Sequence, residues 1–438
     1  MEEYLVYLTS IAVILLIGLF IALIAKKIKM SNLLLLLIAG IILSKMTYYG
    51  ERLFSFSGTF LTALAVLALV MIIFDAASRF KWKTIDTYTI KTLKLVLLFL
   101  LLNMIFLTAA TYYMFDVGNV LLAMIFSSIM VGTSPDVILS MLKNEKHQIV
   151  ELLRIESIIN TPITVLIPFI LLDLLNTLNL HEVIFSKLLE QLKPFITQFV
   201  VGIGAGVLIG LILARVMKKA YSETLSPLAM ITAALLTYIL AENIGGNGVL
   251  AVTVMGLMFG NFYVKQKDQL YSFSTIFENS LLILVFVLVG IGIDVPLNDG
   301  LFWFKAFLLF LIYLILRFIS IAYIMKDEGL EINEKLFMTF NIPKGIAVAV
   351  VAFTLTTKIV EIPKLSIVLN LIVMFMLFSM VLATIVSKFD HWFLDHDKQE
   401  IIKEEKKEVD KEIEKLEKID KKLEVKSKKI EKEEKGRK

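Results

Sequence analysis

Residues 152–162, LLRIESIINTP, place polar side chains in the middle of a long apolar stretch. Glu156, Ser157, Asn160 and Thr161 occupy little more than one helical turn and its neighbour, and Pro162 follows them. A buried carboxylate can exchange protons, and hydroxyl and amide oxygens can coordinate hard cations such as Na⁺ and K⁺. The segment is therefore a candidate for ion binding or for proton exchange.

Two further apolar stretches are interrupted by glycine and proline, with a charged residue next to each proline. The first reads VGTSPDVIL and includes Asp136, and the second reads FNIPKGIAVAV and includes Lys344. Interruptions at matching positions of inverted halves are typical of ion sites in transporters, because unwound backbone at membrane depth needs protein or cavity water as its partner. Two ordinary proline kinks are the alternative. The adjacent charges suit the partial charges of broken helix ends and favour an ion site.

Four other ionisable residues also lie within apolar stretches: Asp75, Glu156, Glu278 and Arg317. Charges inside a bilayer are costly and usually pair within the helix bundle. Glu156 and Arg317 are the deep charges of their helices, so we predict a structural ion pair between them rather than proton transfer at Glu156. Asp75 precedes Arg79 by four residues, so an ion pair along the helix competes with a role of Asp75 in ion binding.

The composition indicates that membrane helices position these residues. Of 438 residues, 58% are hydrophobic and 19% are charged, and the mean hydropathy is +0.82. A soluble domain is closer to half apolar and a quarter charged. We predict an all-α polytopic membrane protein with about thirteen transmembrane helices, since its apolar runs can cross roughly 30 Å of hydrocarbon. The predicted spans are 4–25, 31–45, 58–78, 90–114, 118–142, 150–175, 194–217, 224–242, 246–262, 270–293, 301–325, 335–357 and 364–388.

Alternate loops differ in their content of basic residues. The loops KKIK (26–29), SRFKWK (78–83) and KNEK (143–146) are basic, whereas MEEY, FDVGN and AENIGGNG contain neither lysine nor arginine. The positive-inside rule then predicts a multi-pass protein of the cell membrane, with its N-terminus outside and its C-terminal tail in the cytoplasm.

Residues 391–438 are predicted to form a cytoplasmic, charged helical tail. Apolar residues recur there every seven positions, whereas the second core position of the heptad is mostly charged. The helix therefore has a narrow apolar seam, which packs on the membrane domain, pairs weakly across a dimer or stays solvated without a partner. The apolar positions are Ile402, Val409, Leu416, Leu423 and Ile430.

Several classes of function are disfavoured. The absence of cysteine excludes disulfides and thiol catalysis, and four scattered histidines do not form a metal-ligand pattern. We find no nucleophile–base pair and no phosphate loop, so we do not expect an enzyme or a cofactor. The net charge of +4 gives no reason to expect a nucleic-acid partner. The N-terminus lacks the features of a cleavable signal peptide, so we expect the first span to be retained.

Several motifs in order resemble those of the monovalent cation/proton antiporter superfamily, most closely its archaeal and bacterial sodium/proton exchanger branch. The resemblance covers residues 5–390 approximately. The sixth span of that family carries Glu-Ser-x-x-Asn-Asp-Pro, its fifth Thr-Asp-Pro and its twelfth Pro-Arg-Gly. The matching positions here are Glu156, Ser157, Asn160 and Pro162, then Thr133-Ser134-Pro135, and then Pro343-Lys344-Gly345.

The resemblance implies a homodimer that exchanges Na⁺ or K⁺ for protons by alternating access and serves pH homeostasis. Residues 1–390 would be the antiporter domain, built from inverted repeats. Its core spans (about 90–175 and 301–388) would carry a bound cation as they move relative to the dimerisation and scaffold spans (about 4–78 and 194–293). The predicted ion-binding and proton-coupling residues are Asp75, Thr133, Asp136, Ser157, Asn160 and Thr161. Among them Asp75, Ser157 and Thr161 would ligate the cation, and Glu156, Arg317 and Lys344 would be supporting charges.

One departure from the family pattern concerns the proton carrier. The ion-binding Asp of the sixth-span motif is replaced by Thr161, whose hydroxyl can coordinate a cation but does not ionise in the working range of pH. The fifth-span Asp lies after the proline, at Asp136, instead of before it. We therefore expect Asp75 or Asp136 to exchange the proton. The alternatives are a proton-uncoupled cation transporter or channel-like protein, and a regulatory homologue that does not transport.

Overall fold

Apolar α-helices make up most of the chain in this computed structural model. The structure describes residues 3–28, 30–48, 51–52, 54, 56–79, 87–134, 148–177, 185–219, 225–261 and 267–394. The helices are α1 (Glu3–Ile28), α2 (Asn32–Ser44), α3 (Gly58–Arg79), α4 (Thr87–Leu102), α5 (Thr108–Phe115), α6 (Val120–Ile129), α7 (Gln148–Thr177), α8 (Phe185–Lys219), α9 (Leu225–Asn243), α10 (Gly248–Asn261), α11 (Lys267–Gly292), α12 (Gly300–Ile324), α13 (Ile332–Phe340), α14 (Ile346–Thr356) and α15 (Leu365–Lys388).

The prediction of an all-α membrane protein is confirmed. Within the described ranges, eight helices are long and apolar enough to cross a bilayer, and five further apolar helices are shorter. The number of spans stays a prediction. Short irregular elements join the helices: a π-helical turn, Asn103–Leu107, links α4 to α5. The strands β1 (Thr47–Tyr48) and β2 (Glu51–Arg52) form a two-residue antiparallel pair.

The predicted interruption of the twelfth span is present. Helix α13 ends at Phe340, residues 341–345 are not helical, and α14 begins at Ile346. In the fifth span, α6 ends at Ile129 and non-helical backbone continues to Ser134. Pro135 and Asp136 lie outside the described residues. The chain therefore stops a helix within each of the two stretches in which the sequence places glycine and proline.

Two compact units divide the chain, at residues 1–388 and 389–438. The second unit is described only over residues 389–394, which include a 3₁₀ turn, Asp390–Trp392. The heptad positions of the predicted tail lie outside the described residues. The division of the first unit into core and scaffold spans stays a prediction.

Close backbone packing joins α2 to α11. A Cβ atom added at Gly40 would lie 2.3 Å from the carbonyl oxygen of Val287, and one added at Gly290 would lie 2.7 Å from the Cα of Gly40. A close approach of the same kind joins α10 to α3, where a Cβ at Gly256 would lie 2.9 Å from the carbonyl oxygen of Phe74. Small residues let membrane helices approach in this way when the hydrophobic effect does not drive their association. The contact between α10 and α3 fixes the position of α3, which carries Asp75.

We predict that Gly40→Ala lowers the stability of the protein by about 1–3 kcal/mol, because the added methyl group meets backbone atoms that cannot rotate away. Gly204→Ala is the matched control, since its Cβ would enter open space within helix α8. Alanine is the better helix former, so the control should be neutral or slightly stabilising. Thermal unfolding of the purified protein in detergent measures both, and equal midpoints for the two variants would contradict the close contact between α2 and α11.

Candidate functional site

The two interrupted segments cross and bond to each other through their backbones. The N–H of Ser134, which follows α6, donates to the carbonyl oxygen of Pro343 over 2.9 Å. Gly345 lies against the same residue, because a Cβ atom added there would be 2.2 Å from the Cβ of Ser134. The sequence therefore places glycine where the two chains come closest. The crossing brings the end of α6 and the start of α14 to one place in the bundle.

Lys344 binds the open end of α6. Its Nζ donates to the carbonyl oxygens of Met130 (2.6 Å) and Gly132 (2.9 Å) and to the hydroxyl of Tyr313 (2.6 Å). The side chain is fully buried, and Nζ lies 4.6 Å from the centroid of the Tyr313 ring. Carbonyl groups at a helix C-terminus carry a partial negative charge. Lys344 therefore compensates this helix end, as the sequence predicts, whereas Asp136 lies outside the described residues.

Helix α7 adds further oxygen atoms beside the crossing. The Nδ2 of Asn160 donates to the hydroxyl oxygen of Thr133 over 2.7 Å and lies 3.4 Å from the carbonyl oxygen of Val131. The Oδ1 of Asn160 and the hydroxyl oxygen of Thr164 are buried, and neither has a hydrogen-bond partner among the described residues. Buried polar atoms without partners are rare in native proteins and call for an explanation. Their common position next to the break makes them candidate ligands.

Thr164 lies directly against the unwound segment. A Cβ atom added at Gly132 would lie 2.9 Å from the hydroxyl oxygen of Thr164. Only glycine leaves room there for the backbone to pass that close to α7. The hydroxyl oxygen of Thr164 and the carbonyl oxygen of Gly132, which accepts from Lys344, therefore belong to one neighbourhood.

Ser157 and Thr161 point their hydroxyl hydrogens along their own helix. The hydroxyl of Ser157 donates to the carbonyl oxygen of Arg154 over 2.9 Å, and that of Thr161 donates to the carbonyl oxygen of Ser157 over 2.6 Å. A hydroxyl that donates in this way keeps its lone pairs for an incoming cation. Both residues can therefore act as cation ligands. Among the described residues, neither side chain forms a hydrogen bond with the two crossing segments.

Asp75 lies on α3 and is bound by Arg79. The carboxylate accepts from Nε of Arg79 over 2.5 Å and from its Nη2 over 3.1 Å, and the side chain of Asp75 is 5% exposed. This is the ion pair along the helix that the sequence analysis gives as the alternative to a role of Asp75 in ion binding. Helix α3 packs against both α7 and α14, so Asp75 is on an element that touches the two helices of the site.

Glu156 and Arg317 form the predicted ion pair. Nη2 of Arg317 donates to Oε2 of Glu156 over 2.6 Å, and the two side chains are 0% and 1% exposed. The guanidinium carbon also lies 5.1 Å from the centroid of the Phe99 ring, a cation–π contact. The pair therefore joins α7 to α12 next to the candidate ion site.

Some residues of the site carry no distinct signal in the sequence. Tyr313 precedes Arg317 by one helical turn, and both lie on the face of α12 that meets Lys344 and Glu156. Ser379 of α15 accepts the backbone N–H of Lys344 over 3.3 Å. The side chain of Glu278 lies outside the described residues. In the described part of the chain, no group of three or more His, Cys, Asp and Glu side chains could hold a metal ion.

Comparison with known proteins gives consistent matches. The family model for the transmembrane sodium/hydrogen exchanger matches residues 11–389. A probable Na⁺/H⁺ antiporter 2 of Methanocaldococcus jannaschii is 24% identical over 369 residues, which cover 80% of this chain and 84% of that protein. The Na⁺/H⁺ antiporter NhaH of Halobacillus aidingensis is 26% identical over 298 residues, or 63% of this chain and 72% of that protein.

A solved structure shows the same fold. The sodium proton antiporter MjNhaP1 of Methanocaldococcus jannaschii, determined at pH 8, superposes with a TM-score of 0.69 and 20% sequence identity. The match covers 88% of this chain and 98% of that chain. The overall helical fold is therefore shared with a known protein.

We predict that Glu156→Gln lowers the stability of the protein by about 3–5 kcal/mol, because the substitution leaves the guanidinium of Arg317 buried without its counter-charge. The double variant Glu156→Gln, Arg317→Met removes both charges and should lose much less than the sum of the single changes. Glu361→Gln is the control, since its pair with Lys358 is exposed and is worth less than about 1 kcal/mol. Additive losses in thermal unfolding would contradict direct coupling between Glu156 and Arg317.

Proposed function

The chain belongs to the sodium/hydrogen exchanger family, and we propose that it is a secondary transporter that exchanges a monovalent cation, Na⁺ or K⁺, for protons across the cell membrane by alternating access. It is a transporter rather than an enzyme. One observation carries the proposal: oxygen atoms from the unwound segment and from α7 gather at the crossing, where Asn160 bonds to Thr133. Oxygen is the ligand that Na⁺ and K⁺ need when they leave water.

The proposed cation site lies between the crossing and α7. Thr133 and Asn160, which are joined by a hydrogen bond, contribute side-chain oxygen atoms. Ser157 and Thr161 contribute hydroxyl oxygens whose hydrogens are already donated to the helix. The Oδ1 of Asn160 is a buried acceptor that a cation would satisfy. Neutral oxygens of this kind bind a cation weakly enough to release it, which a transport cycle requires.

Asp75 is the carboxylate that we propose for the charge of the site. It is buried on α3, which packs against α7 and α14. In this conformation Arg79 compensates the charge of the Asp75 carboxylate. The ion pair must break before Asp75 can bind the cation. Asp136 is the other acid that the sequence offers for proton exchange.

The membrane arrangement and assembly are part of the proposal. We propose that the N-terminus faces outward and the charged tail faces the cytoplasm, because basic loops alternate with loops poor in lysine and arginine. We propose a homodimer, with a lipid bilayer and a monovalent cation as the other partners. Na⁺ and K⁺ differ in the cavity that they fit, and the set of oxygen ligands suits both.

Reconstituted vesicles test the exchange directly. With an imposed pH gradient, addition of Na⁺, Li⁺ or K⁺ should drive proton movement through the native protein. A protein that moves a radioactive sodium or rubidium tracer without moving protons would be an uncoupled transporter, and one that moves neither would be a regulatory homologue. Thr161→Asp supplies a titratable group at the position of the family motif, so restored coupling in that variant alone would show that the native protein has lost it.

We predict that Thr133→Val raises the cation concentration for half-maximal proton movement about threefold to tenfold. The substitution removes a proposed ligand and the acceptor of the Asn160 amide, and one hydrogen bond contributes about 0.5–1.5 kcal/mol. Thr111→Val is the control, because it removes a buried hydroxyl that donates within its own helical stretch, to the carbonyl oxygen of Leu107. An unchanged half-saturating concentration in Thr133→Val, measured in the same vesicles, would remove Thr133 from the site.

A further inference from the structure

We propose that helix α15 positions the cation site, and that Ser379 and Ser387 are the residues through which it acts. The proposal rests on the function proposed above, because it concerns the same site, and it assigns a role to a helix that contributes no proposed ligand. Both serines bond to residues 341–345, the interrupted segment between α13 and α14. A further contact joins α15 to α6, the helix that precedes the other interrupted segment.

Ser387 holds the first residue of the interrupted segment. Its hydroxyl donates to Oδ1 of Asn341 over 2.9 Å, and both side chains are buried. The Nδ2 of the same amide donates to the carbonyl oxygen of Phe337 over 3.2 Å, and the backbone N–H of Asn341 donates to that oxygen over 3.0 Å. The amide of Asn341 therefore bridges the end of α13 to α15.

Ser379 holds the segment again three residues further on, about two turns away along α15. Its hydroxyl oxygen accepts the backbone N–H of Lys344 over 3.3 Å, and its hydrogen is donated to the carbonyl oxygen of Met376 within α15 over 3.2 Å. Because Lys344 lies outside the helices, its buried N–H needs a partner beyond the helical hydrogen bonds. Ser379 provides that partner.

Helix α15 also contacts the first interrupted span. It packs against α6 as well as against α13 and α14. The rings of Phe375 on α15 and Phe126 on α6 meet edge to face, with their centroids 5.0 Å apart. Phe126 lies one turn before Met130, whose carbonyl oxygen accepts from the ammonium group of Lys344. Residues 375–387 therefore hold the two interrupted spans in a fixed relation to each other.

The interrupted segment needs such contacts because its backbone is not helical. Fixing a non-helical backbone costs conformational entropy, and contacts that exist before a ligand arrives reduce the cost of binding it. Pro343 of this segment accepts from the N–H of Ser134, which follows the proposed ligand Thr133. A shift of residues 341–345 would therefore move Thr133 relative to its partner Asn160. The loss of a serine contact should weaken cation binding more than it slows the transport step.

The test measures cation-driven proton movement by the full-length protein in proteoliposomes over a range of Na⁺ or K⁺ concentrations. Ser387→Ala should raise the half-saturating concentration about twofold to tenfold, as expected for one hydrogen bond, and leave the maximal rate within about twofold of native. Ser387→Thr keeps the hydroxyl and should stay close to native. Thr384→Val is the matched control and should cause no rise, because the hydroxyl of Thr384 donates within α15, to the carbonyl oxygen of Met380.

A double variant tests whether Ser387 acts through Asn341. Asn341→Ala should raise the half-saturating concentration by itself, and the addition of Ser387→Ala should have little further effect, because the two residues share one hydrogen bond. Ser379→Ala breaks the other contact and should raise the same concentration, so it tests α15 independently if Ser387→Ala does not fold. Thermal unfolding in detergent is measured for each variant. A purely structural role would lower the midpoint and leave the half-saturating concentration unchanged.

Three results would overturn the proposal. An unchanged half-saturating concentration in either alanine variant of the two serines would remove that serine from its positioning role. An equal rise in Thr384→Val, or independent effects of Asn341→Ala and Ser387→Ala, would remove the path through Asn341. The native protein separates this proposal from antiport itself. Native proton movement with unaltered serine variants overturns only the role of α15, whereas no proton movement in the native protein overturns antiport and the positioning role together.

Discussion

A helix that ends inside a membrane exposes carbonyl oxygens where bulk water cannot reach them, and this constraint shapes the centre of the protein. Helix α6 ends at Ile129, and the carbonyl groups of Met130 and Gly132 need partners. Lys344 provides them from the opposite interrupted segment. The crossing, the buried lysine and the glycines that allow close approach all follow from that need. The cation site that we propose lies at the same place, since groups that accept from an ammonium can also coordinate metal cations.

The buried charges around the crossing have different roles. Glu156 and Arg317 compensate each other and join α7 to α12, so they fix the position of the α7 oxygens. The described hydrogen-bond partners of the Lys344 ammonium are two backbone carbonyls and the hydroxyl of Tyr313. The two cations are connected through α12, since Tyr313 binds Lys344 and Arg317 lies one turn further along the same face.

The sequence predicts the fold class and the charge pairing well, for clear physical reasons. A bilayer permits few structures for long apolar segments, and deep charges are so rare that Glu156 has few possible partners. The Asp75–Arg79 contact follows from helical spacing, and the break at Pro343 follows from its missing N–H. Tyr313 and Thr164 are different. A tyrosine and a threonine are ordinary residues in an apolar helix, and their place in the site depends on how α12 and α7 meet the crossing, which periodicity alone does not specify.

The bond between Ser134 and Pro343 has a genetic consequence. Both of its atoms belong to the backbone, so replacement of either side chain leaves the donor and acceptor in place, except where proline replaces Ser134 and removes the N–H. A survey of random substitutions would therefore overlook this link between the two segments. The same survey would register Gly345 strongly, because any side chain there would collide with the Cβ of Ser134. Substitutions at Gly345 would thus reveal that the two segments are in close contact, whereas most substitutions leave the hydrogen bond between them intact.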